Sequence, residues 1–284
     1  MLEVRSKDGV LISCQRTGSG PALLLVHGSG NDGSSWRPAI SELESHFTLL
    51  SMDRRGHGKS GDADTYRVEN EWADIAACIE AFADGPCDVL GHSYGGLCAL
   101  GAARAGAPIR RLALFEPPIP TYPEAYHPDN LIETMRTALA GGDCDKAAEA
   151  FVTGVFRSGA DDFPETKKLA MWLQVAKNAN ILLRELETVG QFKLGAEDYG
   201  DWAIPTLLMV GSESAPQYGA TVEALRAILP GSRIAELQGQ QHSAVRTAPT
   251  LFATAVRKFL QSSGEKTMSP SRLRGTAKRP VRAV

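Results

Sequence analysis

Two rhythms of apolar residues alternate along the chain. Short unbroken runs, "ALLLV" from Ala22, "FTLLSMD" from Phe47, "CDVLGH" from Cys87, "IRRLALFE" from Ile109 and "IPTLLMVG" from Ile204, have strand length. Runs of this kind read as strands buried on both faces of a sheet. Between and after them apolar positions recur every three or four residues, predicting helices over Ser35 to Leu43, Glu69 to Phe82 and Tyr94 to Ala105, then over "GATVEALRAIL" and "LFATAVRKFL". At the start, "LEVRSKDGVLISCQRTG" alternates around Asp8-Gly9 as a hairpin does, and "SRIAELQ" adds a late short strand. The order predicts the α/β class: a mostly parallel central sheet of about eight strands with helices on both faces.

The rhythm breaks after Glu116. From Pro117 to about Trp202 no strand pattern occurs; Pro-rich "EPPIPTYPEAYHP" gives way to helical spacing near Leu131 to Leu139, Lys146 to Phe156, Thr166 to Ala176 and Ile181 to Val189. So long and patterned a stretch is not a loop. It predicts a helical cap, residues 118–202, inserted after the sixth strand of a core domain made of residues 1–117 and 203–262. Residues 263–284 read as a disordered basic tail.

Bulk properties narrow the function classes. With 284 residues, 43% of them hydrophobic, the chain can bury a large core. Its apolar runs fall far short of the roughly 18 residues of a membrane span, so no membrane partner is expected. "MLEVRSKDGV" lacks the basic-then-apolar layout of a secretory signal, and a cytoplasmic location is the expectation. The five cysteines, Cys14, Cys78, Cys87, Cys98 and Cys144, form no CxxC pair and no metal-ligand spacing; reduced, mostly buried thiols and no metal are expected. The net charge of −3 conceals a tail from Gln261 in which six basic side chains face Glu265 alone. A solvated terminus explains that tail better than a nucleic-acid arm, so no nucleic-acid partner is expected.

Two glycine-bearing turns carry candidate chemistry. In "LLLVHGSGNDG", Gly28, Gly30 and Gly33 fit a dinucleotide-binding GxGxxG, and Asp53 stands about 20 residues later, where a ribose-binding acid belongs. The same turn also suits backbone donors for a reacting carbonyl. In "VLGHSYGG", Gly91, Ser93 and Gly95 form GxSxG between a predicted strand and a predicted helix. A strand-to-helix turn that sharp strains the nucleophile's backbone, and larger neighbours two positions away would collide. Ser93 is therefore the candidate nucleophile.

Together these strings resemble the α/β-hydrolase superfamily from Leu2 to Leu260: "HGSG" its oxyanion loop, "DRRGHGKS" its loop after the fourth strand, "GHSYG" its nucleophile turn and "GQQHS" its histidine-bearing segment, in family order. The resemblance implies an oxyanion hole from backbone N–H groups near Gly28 and Ser29 together with that of Tyr94, and it turns Asp53 from a ribose ligand into a loop brace pairing with Arg54 or backbone. It also implies no cofactor. Six histidines compete to be the base, and chain order in this fold favours His242, which follows the last strand. His27 and His92 then brace the two turns; His46, His57 and His127 read as surface or loop residues.

The acid departs from the usual pattern. Most members resembling this chain carry an aspartate where Ser214 stands in "GSESAP", and serine cannot stabilise an imidazolium as a carboxylate does. Glu116, ending "LALFE" beside the nucleophile strand, is the favoured substitute, with Glu213 the alternative. A minority of the superfamily, zearalenone lactonases among them, take the acid from this strand, and "LFEPP" with "VGSESAP" resembles that arrangement. Trp36, Met171 and Trp172, with Tyr122, Tyr126 and Phe192, are candidate pocket residues. The expected function is hydrolysis of an ester, lactone or related carbonyl of a small, fairly apolar molecule through an acyl-enzyme. The alternatives are a cofactor-free lyase, C–C bond hydrolase or cyclase, or a noncatalytic small-molecule binding protein; a nicotinamide-dependent reductase rests on the glycine spacing alone.

Overall fold

A computed structural model describes residues 1–120, 130–156 and 170–262. The predicted basic tail, Tyr122, Tyr126, His127, the first residues of the helix predicted from Thr166 and the side chain of Met171 lie outside the described residues.

Eight strands form one sheet: β1 (Leu2–Arg5), β2 (Leu11–Gly18), β3 (Ala22–Val26), β4 (Thr48–Met52), β5 (Cys87–His92), β6 (Ile109–Phe115), β7 (Thr206–Gly211) and β8 (Arg233–Leu237), in the order β1-β2-β4-β3-β5-β6-β7-β8. Only β2 runs against its neighbours; from β4 to β8 all pairs are parallel. Parallel strands need crossovers, which α1 (Arg37–Leu43), α2 (Val68–Phe82) and α3 (Tyr94–Arg104) supply in the first half. After β7 come α8 (Pro216–Ile228), α9 (Ala244–Thr247) and α10 (Pro249–Gln261). The short α9 was not legible in the sequence pattern.

Side chains alternate across the pleat, so each central strand feeds two cores. Leu24, Val26, Leu50 and Val89 pack with α2 and α3 on one face, while Leu23, Leu25, Leu49 and Leu90 pack with Trp36, Phe252 and Val256 on the other. Helix α3 is buried almost throughout, as its small residues permit. A Cβ at Gly101 would run into the Trp72 indole of α2.

Between β6 and β7 the described residues form no strand. They form α4 (Leu131–Ala140), α5 (Cys144–Phe156), α6 (Ala170–Lys177) and α7 (Ala179–Gln191), which share an apolar cluster of their own including Met135, Phe151, Trp172, Leu182 and Leu186. These helices rest on the carboxyl ends of the strands through a buried ion cluster. Arg54, just past β4, donates from Nη1 to Glu71 of α2 at 2.8 Å and from Nη2 to Glu185 of α7 at 2.5 Å, while its Nε donates to the His27 carbonyl at 2.9 Å. The neighbouring Arg55 makes a two-pronged pair with Asp74 of α2. Among the described residues, no helix is long and apolar enough to cross a membrane.

Candidate active site

Three loops at the carboxyl edge of the sheet converge on one cavity of about 500 Å³, lined by Gly28, Ser29, Ser93, Tyr94 and His242 below and by Val152, Trp172 and Leu186 of the inserted helices above. Strand register places the first two reacting candidates side by side. His92 faces Phe115, and Phe115 faces Met209, so Ser93 and Glu116 each follow immediately after paired positions. The Ser93 N–H donates to Phe115 O at 2.9 Å, and the Glu116 N–H donates to Met209 O at 3.1 Å.

Both residues have left-handed backbone, Ser93 at φ 51° and Glu116 at φ 47°, and among the described residues no other non-glycine has positive φ. Such strain persists only where surrounding structure holds it. At Ser93 the holding contacts are visible: a Cβ on Gly91 would stand 2.6 Å from Gly96 Cα, and one on Gly95 would collide with the Val26 and His27 carbonyls. Only glycine lets the turn seat itself that deeply.

Glu116 is fully buried and all its polar capacity is directed. Oε1 accepts from the Gly211 N–H at 2.8 Å and from Ser214 Oγ at 2.5 Å; Oε2 lies 2.6 Å from His242 Nδ1. A carboxylate only accepts, so Nδ1 carries a proton, and the neutral ring with that tautomer has its lone pair on Nε2. Glu213, the alternative acid, is solvent-exposed one residue before Ser214, and its N–H donates to Gln240 O. Ser214 occupies the position searched for an acid and instead holds Glu116.

The His242 ring stacks on Tyr218 of α8, with centroids 4.5 Å apart and planes 15° apart, and leans on His92 at 4.8 Å. His92 Nε2 donates to the His242 carbonyl at 3.0 Å. Burial, then the neighbouring His242, holds the His92 imidazole well below its usual range, and it is a neutral brace. Tyr218 was missed in the sequence; its aromatic ring at the start of the helix after β7 was the available signal.

The Gly28 turn packs directly against the Ser93 turn: a Cβ at Gly28 would sit 2.9 Å from Ser93 Cβ. His27 Nε2 accepts from the Arg54 N–H at 3.0 Å, so its Nδ1 is the donor to Gly28 O at 2.8 Å. Carbonyl and following N–H point opposite ways across a trans peptide. The Ser29 N–H is therefore turned away from His27. Tyr94 opens α3, where helical geometry gives its N–H no acceptor within the helix. Asp53 braces the turn through the Gly33 and Lys59 amides at 2.8 and 2.9 Å; its bonds go to backbone, and Arg54 pairs elsewhere. Trp36 is buried on the cavity wall, whereas Phe192 packs into the sheet core.

Of the surface or loop reading for His57, the loop half holds and the surface half does not. It is 1% exposed, because its Nε2 lies 3.1 Å from Glu185 Oε1 inside the ion cluster. Burial and Arg54 likewise hold His27 well below the usual imidazole range. Within the same cluster, burial pushes the Glu71 carboxyl up to about 7, against the pull of Arg54 and helped by Glu185. An acid whose folded pKa exceeds its unfolded value binds extra protons when folded, so this term erodes stability as pH rises from about 4.5 to about 7, by at most about 3 kcal/mol. Thermal melts at pH 5 and pH 8 check it: Glu71→Gln should lose less melting temperature between the two than wild type. An equal loss would mean that Glu71 is already ionised at pH 5.

No group of three His, Cys, Asp or Glu placed to hold a metal occurs among the described residues. The Gly28–Gly33 turn lies against Ser93 at Gly28 and against Asp53 at Gly33.

Comparisons with known proteins bear on the family and the fold. Residues 23–255 match the family model described as "Alpha/beta hydrolase family". A crystal structure of an alpha/beta hydrolase from Sphaerobacter thermophilus superposes with a TM-score of 0.81 at 33% identity, covering 91% of this chain and all of that one. The enol-lactonase of Burkholderia xenovorans shares the fold, with a TM-score of 0.74 at 20% identity over 91% of this chain and 99% of its own. In sequence, the chain is 24% identical to the 2-(acetamidomethylene)succinate hydrolase of Mesorhizobium japonicum over 89% of this chain and 92% of that protein. With its sheet order, its strained serine turn and a family match over most of its length, the chain belongs to the alpha/beta hydrolase family.

Proposed function

We propose that the protein hydrolyses an ester, lactone or related carbonyl compound through a covalent acyl-enzyme on Ser93. The observation that carries this reading is the 2.6 Å contact between Glu116 Oε2 and His242 Nδ1, in a cavity whose wall also contains the strained Ser93. His242 takes the Ser93 proton on Nε2 as Oγ attacks the carbonyl carbon, and Glu116 holds the tautomer and balances the imidazolium that forms. The resulting oxyanion is met by the N–H groups of Ser29 and Tyr94; losing one such donor typically costs about 100-fold to 1000-fold in rate. His242 then protonates the departing oxygen, and water repeats the sequence to release the acid and restore Ser93.

The inserted helices serve as a cap whose apolar wall, with Trp36 and Trp172, selects a small and fairly apolar substrate. The hydrolase names of the relatives, the enol-lactonase and the succinate hydrolase among them, support carbonyl hydrolysis as the reaction class. An acid borne after β6 also suits the zearalenone lactonase-like placement.

Intact mass after treatment with a fluorophosphonate probe tests the proposal. One adduct on wild type and none on Ser93→Ala is expected. Equal labelling of both proteins, or of neither, would overturn the assignment of Ser93 and move a lyase or a binding protein ahead.

A further inference from the structure

Glu116 holds one atom of the base. Its Oε2 meets His242 at Nδ1, 2.6 Å away, while the lone pair that acyl transfer needs sits on Nε2, across the ring. The χ2 torsion of histidine is broad, with no staggered well to fix it. The tilt of the ring, and with it the aim of Nε2, is therefore set by what packs against the ring faces.

His92, Phe115 and Tyr218 pack there. His92 ends β5 and approaches at 4.8 Å with the planes 45° apart; Phe115 ends β6 and stands at 6.1 Å and 26°; Tyr218 of α8 lies at 4.5 Å and 15°. Of these, Tyr218 is the nearest and the most nearly parallel. Its helix is firmly seated. Helix α8 begins at Pro216, the Tyr218 N–H donates to Ala215 O at 3.0 Å in the first turn, and Thr221 Oγ1 ties the helix to the Ile119 carbonyl at 3.0 Å. Tyr218 is buried, and Val222 and Leu225 of the same helix enter the sheet core. A ring carried on such a helix keeps its orientation better than one on a loop.

The stack gains strength when the base is charged. Once Nε2 takes a proton, His242 is a cation over an aromatic face, well inside the roughly 6 Å over which that attraction acts. A contact that strengthens as charge develops lowers the barrier instead of adding uniform binding. Tyr218 also stands four positions after Ser214, whose Oγ holds Oε1 of Glu116.

Resting on the acyl-transfer reading above, we propose that Tyr218 is a positioning residue for the base: its ring fixes the plane of His242 and favours the imidazolium. The segment after β7, which carries serine where an acid was sought, then supports both members of the pair, Ser214 the carboxylate and Tyr218 the imidazole.

The test treats the full-length protein with the fluorophosphonate probe and follows labelling by intact mass over time at several probe concentrations. This yields the limiting rate constant of Ser93 modification and the probe concentration that gives half of it. Both describe the folded molecules and are unmoved by an unfolded fraction. In Tyr218→Leu the limiting rate constant should fall at least about tenfold with the half-rate concentration unchanged, a loss on the scale that misplaced catalytic groups cause. Tyr218→Met, which also lacks the ring, is run beside it so that the result does not depend on one variant folding. Tyr218→Phe should stay within about threefold of wild type, since the aromatic face is used rather than the hydroxyl. A wild-type limiting rate without the ring overturns the positioning role, and so does an equal fall in the Phe and Leu variants, which would assign the effect to the hydroxyl. A rise in the half-rate concentration alone overturns it too, making Tyr218 a contact of the bound molecule. In these three cases wild type is labelled and the acyl-transfer reading stands. No labelling of wild type overturns that reading, and the role of Tyr218 with it.

Discussion

Glu116→Gln is expected to lower kcat by about four orders of magnitude, the cost of the equivalent amide substitution in a serine-protease triad, with the melting temperature nearly unchanged. The hydrogen-bond inventory at Glu116 explains so large an effect from one atom. Oε1 receives two donors, Gly211 N–H and Ser214 Oγ, and Oε2 receives His242 Nδ1. Glutamine has one acceptor oxygen and one donor nitrogen. If its oxygen keeps the Gly211 and Ser214 bonds, its NH2 faces Nδ1 and favours the tautomer with the proton on Nε2, which cannot receive one from Ser93. If the amide flips, NH2 meets the Gly211 N–H instead, and two donors oppose each other in a buried site. Either way the base is disabled and the imidazolium loses its counter-charge, while the side-chain volume is preserved. Steady-state turnover of an activated ester, beside a thermal melt, decides the matter: a wild-type rate in a folded variant would remove Glu116 from the mechanism. The double variant Glu116→Gln, Ser214→Asp should recover part of the loss, because Ser214 Oγ already lies 2.5 Å from the carboxylate it supports.

Arg54→Met is expected to cost about 3–5 kcal/mol of unfolding free energy at pH 8, as removing one partner of a buried ion pair commonly does. The guanidinium is fully buried between two carboxylates whose side chains are each 1% exposed, and it lies 4.8 Å above the Tyr94 ring. Methionine fills the volume but leaves Glu71 and Glu185 facing each other without a cation. Since burial and the other carboxylate already push Glu71 up, the variant can relieve part of the repulsion by taking a proton, so the loss should be smaller at pH 5 than at pH 8. Adding Glu71→Gln and Glu185→Gln should restore much of the stability, because the penalty belongs to uncompensated charge rather than to a missing contact. Urea denaturation of the three proteins measures this. A loss below about 1 kcal/mol at pH 8 would place the pair among weak, solvent-screened ion pairs and contradict the buried network.

The fold was legible in the chain because its signals are local. Unbroken apolar runs such as "ALLLV" and "CDVLGH" can be buried only in a covered parallel sheet, and the strands appear there with boundaries shifted by a residue or two. The loss of strand rhythm after Glu116 likewise marked the inserted helices, since period is a property of neighbouring residues. GxSxG was readable for the same reason: the turn demands glycine at fixed offsets from Ser93.

What the chain could not disclose was pairing across distance. Whether Glu116 or Glu213 lies against His242 depends on contacts spanning 126 residues, and these follow from strand register and the direction of one turn. His57 read as a surface or loop residue; it does lie in a loop, but a buried one, and nothing near it in sequence announces Glu185, 128 positions away on an inserted helix. Arg54 offered two plausible partners, a neighbouring aspartate or distant acids, and tertiary packing chose the distant ones, since Asp53 was already held by the backbone amides of Gly33 and Lys59. By itself, then, the sequence determined the sheet, the sharp serine turn and the histidine-bearing loop after the last strand, all set by local period and backbone stereochemistry. Only the tertiary structure decided that the favoured Glu116 meets the histidine and that Glu185 joins Arg54 and His57 in one buried cluster, because buried charges settle wherever packing brings a counter-charge within hydrogen-bond reach.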